Sequence, residues 1–187
     1  MHRTSASPAQ GSSHWDLPVS PEVWRRILEG YALNVAGIHG VGHWARVLAN
    51  GRRLAATEEA DLQVVDLFAV FHDSRRLNDD WDPEHGLRGA RLAERLRPLL
   101  PPLTDVQMDQ LLTACTHHTS LATHPDATIR VCFDADRLDL ARVGITPDPA
   151  LLCTETARDP EVIAWASARS MSGWIPGPVR ESWLGRR

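Results

Sequence analysis

The sequence predicts an all-α protein, a single-domain bundle of about six to eight helices. Apolar residues recur at three- and four-residue spacing along most of the chain. Capping residues and prolines mark several helix starts, and no segment alternates as an exposed strand would. The chain has 187 residues, which is the size of one domain. We predict a flexible N-terminal tail over residues 1–17, a helical domain over 18–172 and a C-terminal tail over 173–187.

The first three helices are predicted from their caps and their apolar faces. "SPEVWRRILEGYALN" begins with Ser20 as a cap and Pro21 in the first turn. "HGVGHWARVLANGRRLAA" carries its apolar residues on one side. "TEEADLQVVDLFAVFHDSRR" begins with Thr57 as a cap, and residues 64–71 are apolar nearly all round apart from Asp66. A helix that is apolar on every side is buried, so we predict that this third helix is the centre of the bundle.

The later helices follow from the same signals. "DPEHGLRGARLAERLRPLL" has a proline in its first turn and ends near Pro98, and "TDVQMDQLLTACTHHTS" begins with Thr104 as a cap. "DATIRVCFDADRLDLARVGI" is a helix or, over residues 129–133, a buried strand, and we favour the helix because the apolar pattern continues through Leu138. "DPEVIAWASARS" is the last clear helix, and the segment after it reads as a loop.

Composition excludes several classes of function. The formal charge of −4 and the pI near 6.1 leave no basic face for a nucleic acid duplex. Lysine is absent, which excludes a P-loop lysine and a Schiff-base lysine. Three widely spaced cysteines indicate free thiols in a reducing compartment. With no apolar run of membrane-spanning length and no secretory signal, we expect a cytoplasmic protein without a membrane partner.

The candidate chemistry lies in "FAVFHDSRR", where His72 and Asp73 end the apolar helix. Adjacent helical residues point about 100° apart, so the pair can flank one ion beside the helix. Mixed nitrogen and oxygen ligands suit Mn, Fe, Co, Ni or Zn better than calcium. The alternative is an ordinary helix C-terminus, where a histidine favours the dipole and an aspartate enters the turn.

Two further segments give the pair its context. "IHGVGHWARV" precedes it and contains His43, and "DADRLDLARV" follows it and contains Asp136. The order of a histidine, a His-Asp doublet and a late aspartate resembles the HD-domain metal-dependent phosphohydrolase superfamily, over residues 38–143. The resemblance implies an HD-domain-like helical bundle in which His43, His72, Asp73 and Asp136 bind a divalent transition metal.

Some matches leave alternatives open. Asp134 competes with Asp136 as the late ligand, and Asp139 is a weaker choice that we expect to be solvated. His39 lies four residues before His43, and it is an extra ligand, a contact to substrate phosphate or simply a helix-start residue.

Family members with further histidines between the doublet and the last aspartate bind a second metal. His85, His117 and His118 occur in the order that such a site needs, with Asp73 as the bridge. The alternative is that these histidines contact phosphate or cap helices, and we favour one ion over two. Asp73, His85 and His118 are the candidates for catalytic proton transfer.

The resemblance implies hydrolysis of a small phosphorylated metabolite, a nucleotide phosphomonoester being the favoured substrate, by a metal-activated water. Arg75 or Arg76 could bind the substrate phosphate. The alternatives are a phosphodiesterase acting on cyclic or linear dinucleotides and a non-catalytic metal-containing binding module. A homodimer is suggested by the apolar C-terminal segment. Tryptophans are expected to pack in the core or at its rim rather than to stack bases: Trp24, Trp44, Trp81 and Trp165.

Overall fold

The computed structural model describes residues 17–183, which form nine α-helices and no strand. The helices are α1 (Pro21–Glu29), α2 (Val41–Ala55), α3 (Leu62–Phe71), α4 (His85–Leu96), α5 (Asp105–His117), α6 (Ala127–Arg137), α7 (Glu155–Arg158), α8 (Pro160–Met171) and α9 (Gly177–Trp183). The all-α prediction is confirmed. The predicted N-terminal tail lies outside the described residues, except for its last residue. None of these described helices is both long and apolar enough to span a membrane.

Side-chain caps determine where the helices begin. The Ser20 hydroxyl accepts a hydrogen bond from the Val23 amide, and Thr104 begins α5 with a capping box. The prediction for α3 was wrong by one turn, because Asp61 and not Thr57 is its cap. The Thr57 hydroxyl instead donates to the Leu54 carbonyl at the end of α2.

Helix α3 is the centre of the bundle, as its apolar sequence predicts. It packs against α2, α4, α5 and α6, and Phe68 and Phe71 are fully buried. Asp66, its polar exception, accepts hydrogen bonds from the Arg52 guanidinium on α2 at 2.8 and 2.6 Å. Since α3 is surrounded, side chains at its C-terminal end meet residues from several other helices.

Two glycines allow α4 to approach its neighbours closely. A Cβ atom on Gly86 would lie 2.1 Å from the Cys115 carbonyl oxygen of α5, and one on Gly89 would lie 2.3 Å from the Phe71 carbonyl oxygen of α3. Neither position has room for a larger residue. This contact places His85, the first residue of α4, beside the C-terminal ends of α3 and α5.

The segment with two interpretations, residues 129–133, is helical, as favoured. Helix α6 ends at Arg137, and a separate 3₁₀ turn covers Leu140–Val143. The side chain of Leu138 between them is fully buried, which explains why the apolar pattern continues past the helix.

The C-terminal segment is not the loop that we predicted. Helix α9 buries Val179 and Trp183, and the Trp24 indole N–H donates to the Trp183 carbonyl at 3.2 Å. The apolar residues that suggested a homodimer are therefore used within the chain. Trp24 and Trp44 are buried as predicted, but the prediction for Trp81 was wrong, since it is 84% exposed.

Candidate metal centre

Four predicted ligands converge from three helices. His43 lies in the first turn of α2, His72 and Asp73 follow the last residue of α3, and Asp136 lies in the last turn of α6. The His43 Nε2 atom is 3.0 Å from His72 Nε2, 3.3 Å from Asp136 Oδ1 and 3.5 Å from Asp73 Oδ2. The His72 Nε2 atom is 3.8 Å from Asp73 Oδ2 and 3.9 Å from Asp136 Oδ1.

These distances have the scale expected for ligands of one ion. Donor atoms at about 2.0–2.2 Å from a zinc-like ion lie roughly 3–3.5 Å from one another. His43, His72 and Asp73 are all buried, and Asp136 is nearly so. Two imidazole nitrogens and two carboxylate oxygens suit a divalent transition metal.

His43, His72, Asp73 and Asp136 form what we call the first cluster. Each of its two histidines directs one ring nitrogen away from the other side chains of the cluster. The Nδ1 atom of His72 lies 3.1 Å from the Phe68 carbonyl oxygen, and Nδ1 of His43 lies 2.7 Å from Asp139 Oδ2. Both partners accept hydrogen bonds, so Nδ1 carries the proton in each ring. In the neutral form of each ring, the lone pair is then on Nε2, where an ion would need it.

A second cluster adjoins the first and uses the other oxygen of Asp73. The Nε2 atoms of His85 and His118 lie 2.9 Å apart, and they are 3.2 and 3.9 Å from Asp73 Oδ1. Their Nδ1 atoms face the carbonyl oxygens of Asp82 and Cys115. In the neutral form, both rings therefore present an unprotonated Nε2.

The carboxylate of Asp73 lies between the clusters. Its Oδ2 atom faces the first cluster, and its Oδ1 atom is buried and accepts no hydrogen bond from any described residue. A buried carboxylate oxygen without a hydrogen bond is costly. The Arg76 guanidinium lies 3.5 Å away, and a bound metal ion would be a closer partner. The donor set and this oxygen fit one ion in each cluster, with Asp73 shared.

The comparison with solved structures concerns the fold. The chain is similar to a predicted HD superfamily hydrolase from an uncultured Thermotogales bacterium, with a TM-score of 0.62 and 24% identity. The match covers 81% of this chain and 86% of that one. This chain has an HD-domain fold. No protein-family model and no curated protein matches the sequence.

Within the HD-domain fold, the structure separates the three candidate aspartates. Asp136 faces His43 and His72, whereas Asp134 accepts hydrogen bonds from the main chain of Cys153 and Thr154 and so anchors the segment before α7. Asp139 was expected to be solvated, but it is fully buried. Sequence reasoning missed its contact with His43.

The remaining predicted site residues divide into two groups. His39 and Arg76 lie beside the carboxylate that the two clusters share: His39 Nδ1 is 3.0 Å from Asp73 Oδ2, and Arg76 Nη1 is 3.5 Å from Asp73 Oδ1. His117 is not in either cluster, and its Nδ1 faces the Ser120 hydroxyl at 3.3 Å. Arg75 is also not brought to the centre, because its guanidinium donates to the carbonyls of Ile27, Arg26 and Ser74.

Two cavities adjoin these elements of the HD-domain. One of about 340 Å³ is lined by His43, Arg46, Arg142 and Ser170 together with residues 35–38. Another of about 540 Å³ lies between residues 119–123, which follow His118, and residues 145–153.

The two imidazoles of the first cluster have pKa values shifted in opposite directions. Burial and the charge of Arg142 lower the pKa of His43, but hydrogen bonds with Asp136, Asp139 and Asp73 outweigh them and raise it to about 9. Burial lowers the pKa of His72 to about 3. His43 is thus protonated at neutral pH and His72 is not.

We expect the first ion to displace this proton. Affinity should therefore rise by about tenfold per pH unit as pH approaches 9, where His43 loses its proton unaided, and should level off above it. Calorimetric titration with Mn²⁺ at pH 7, in buffers of different ionisation enthalpy, measures the released protons. Binding without proton release at pH 7 would contradict the assignment of His43 as a ligand.

Proposed function

We propose that this chain is a metal-dependent phosphohydrolase that uses two divalent transition-metal ions and cleaves a small phosphorylated metabolite, a nucleotide phosphomonoester. The observation that carries the proposal is the pair of adjoining donor clusters that share Asp73. Our sequence analysis favoured a single ion. The Oδ1 atom of Asp73, which accepts no hydrogen bond from any described residue and lies beside His85 and His118, supports a second ion.

The residues present suit phosphate ester hydrolysis. When bound, paired metal ions lower the pKa of water and offset the charge of phosphoryl oxygens. Arg76 is buried at the second cluster, with Nη1 within 3.4 Å of the His85 ring nitrogens, and its guanidinium can pair with phosphate oxygens. The name of the structural neighbour, a predicted hydrolase, is in keeping with this chemistry.

We propose different roles from those expected for two histidines. His85 and His118 were candidates for proton transfer, but their Nδ1 atoms face main-chain carbonyls and their Nε2 atoms face Asp73. We assign both as ligands of the second ion. Asp73, whose two oxygens face the two clusters, becomes the bridge.

A substrate panel tests the proposed function. The purified protein is incubated with Mn²⁺, Co²⁺ or Ni²⁺ and with nucleoside mono-, di- and triphosphates, cyclic nucleotides and linear dinucleotides. Free phosphate is measured for phosphomonoester cleavage, and the nucleotide products are separated by chromatography to detect phosphodiester cleavage. Release from a nucleoside monophosphate supports the proposal, and cleavage of a dinucleotide alone would favour the phosphodiesterase. No turnover of any compound, in protein shown to hold two ions, would favour a binding module.

Trp81 supports the choice of a nucleotide. Its indole is 84% exposed and lies in the loop that joins Asp73 to His85. That loop is fixed at the centre, because the Asp80 carbonyl accepts from Arg76 and the Asp82 carbonyl faces His85 Nδ1. An aromatic ring in this position could stack on a base.

We expect Trp81→Ala to raise the KM for a nucleotide by roughly 5- to 150-fold, because a base–aromatic stack contributes about 1–3 kcal/mol. The kcat should change little, and Trp81→Phe should restore most of the affinity. Glycerol phosphate, which has no ring, is the control substrate, and its KM should not change. An equal rise in KM for both substrates would indicate that the substitution disturbs the metal centre and that Trp81 does not stack on the base.

A further inference from the structure

Asp139 is a buried carboxylate with three hydrogen-bonding partners on two helices, His43 and Arg46 on α2 and Ser170 on α8. It follows α6, its Oδ2 atom is 2.7 Å from His43 Nδ1, and its Oδ1 atom accepts from Arg46 Nε at 2.7 Å. The Ser170 hydroxyl of α8 donates to the same Oδ1 atom. All four residues are buried in the HD-domain.

Asp139 is not placed to bind the first ion itself. The two nitrogens of an imidazole lie on different edges of the ring, and His43 turns Nε2 toward His72 and Asp136. Asp139 contacts the other nitrogen, so it lies behind the ligand. From there it can control the orientation and the tautomer of His43.

The charge of Asp139 is what makes this control effective. Its Oδ1 atom accepts hydrogen bonds from the Arg46 guanidinium and from the Ser170 hydroxyl, an arrangement that holds Asp139 as a carboxylate. An ionised carboxylate only accepts hydrogen bonds, so Nδ1 of His43 must be the donor. Arg46 compensates the buried negative charge.

We infer that Asp139, held by Arg46 and Ser170, is a positioning residue that sets the affinity of the first cluster for its metal. This inference rests on the proposed metal centre. Ser170 extends the control to α8, which supplies no metal ligand, so the packing of α8 contributes to metal affinity. The second cluster, whose histidines contact main-chain carbonyls instead, is independent of Asp139.

The test compares two buried aspartates. Asp139→Asn keeps the shape of the side chain, but its amide group can donate to His43 and favour the wrong tautomer. Asp134→Asn is the matched control, since Asp134 is also fully buried and lies two residues from Asp136 but bonds to Thr154. Co²⁺ titration by visible absorption, with elemental analysis of bound metal, gives the affinity and number of ions. Thermal unfolding of the metal-free proteins gives their stability.

We expect Asp139→Asn to weaken binding of the first ion by about 10- to 100-fold and to leave the affinity for the second ion unchanged. Ser170→Ala should weaken binding of the same ion by a smaller factor, and Asp134→Asn should lower only the unfolding temperature. Equal metal loss in both Asn variants, or none in Asp139→Asn and Ser170→Ala, would overturn the inference. If Asp139→Asn does not fold, the Ser170→Ala titration decides.

The outcome separates this inference from the proposed function. Wild-type protein that binds two ions but releases no phosphate would refute the hydrolase and still allow the comparison of Asp139 with Asp134. Wild-type protein that binds no Co²⁺ would refute both.

Discussion

Replacing Asp73 by alanine is expected to remove both ions and to lower phosphohydrolysis by roughly a thousandfold or more. The physical reason is that its two oxygens serve both clusters: Oδ2 lies 3.5 Å from His43 Nε2, and Oδ1 lies 3.2 Å from His85 Nε2. Elemental analysis after dialysis against Mn²⁺ measures bound metal, and phosphate release measures the rate.

Two single-cluster variants make this experiment specific. Asp136→Ala should lose the ion beside His43, and His118→Ala should lose the ion beside His85, each keeping the other. Of the three substitutions, only Asp73→Ala should remove both ions. An Asp73→Ala protein that keeps two ions while folded would show that the bridge is wrongly assigned.

Gly86→Ala is expected to destabilise the protein by about 1–3 kcal/mol or more. It should abolish binding of the second ion and leave binding of the first ion intact. The added Cβ would lie 2.1 Å from the Cys115 carbonyl oxygen and 3.1 Å from His118 Cε1. Helices α4 and α5 must then move apart, and with them His85 and His118. Urea unfolding measures the stability, and Co²⁺ titration counts the ions.

Gly177→Ala is the matched control for that substitution. A Cβ at this position of α9 would meet nothing within 4 Å, so stability should change by less than about 0.5 kcal/mol. If Gly86→Ala is as stable as this control and still binds two ions, close packing of α4 on α5 is not what builds the second cluster.

The sequence was sufficient for the helices and for most of the first cluster. Periodicity and caps are local properties, so α1, α5 and the buried α3 could be predicted from neighbouring residues alone. The His72–Asp73 doublet was recognisable because it follows an apolar helix, and His43 and Asp136 because their contexts resemble a known family.

The sequence by itself therefore determined the class of fold and the types of ligand, but the tertiary structure decided which residues meet. Asp134, Asp136 and Asp139 lie within six residues of one another, yet packing gives each a different contact. Asp134 meets Thr154, Asp136 faces His43 Nε2, and Asp139 contacts His43 Nδ1. Asp139 follows Asp136 by three residues, which was the one local signal that both could share a face. Likewise, the separation of His118 from His117, and of Arg76 from Arg75, depends on side-chain directions that only the contacts between helices fix.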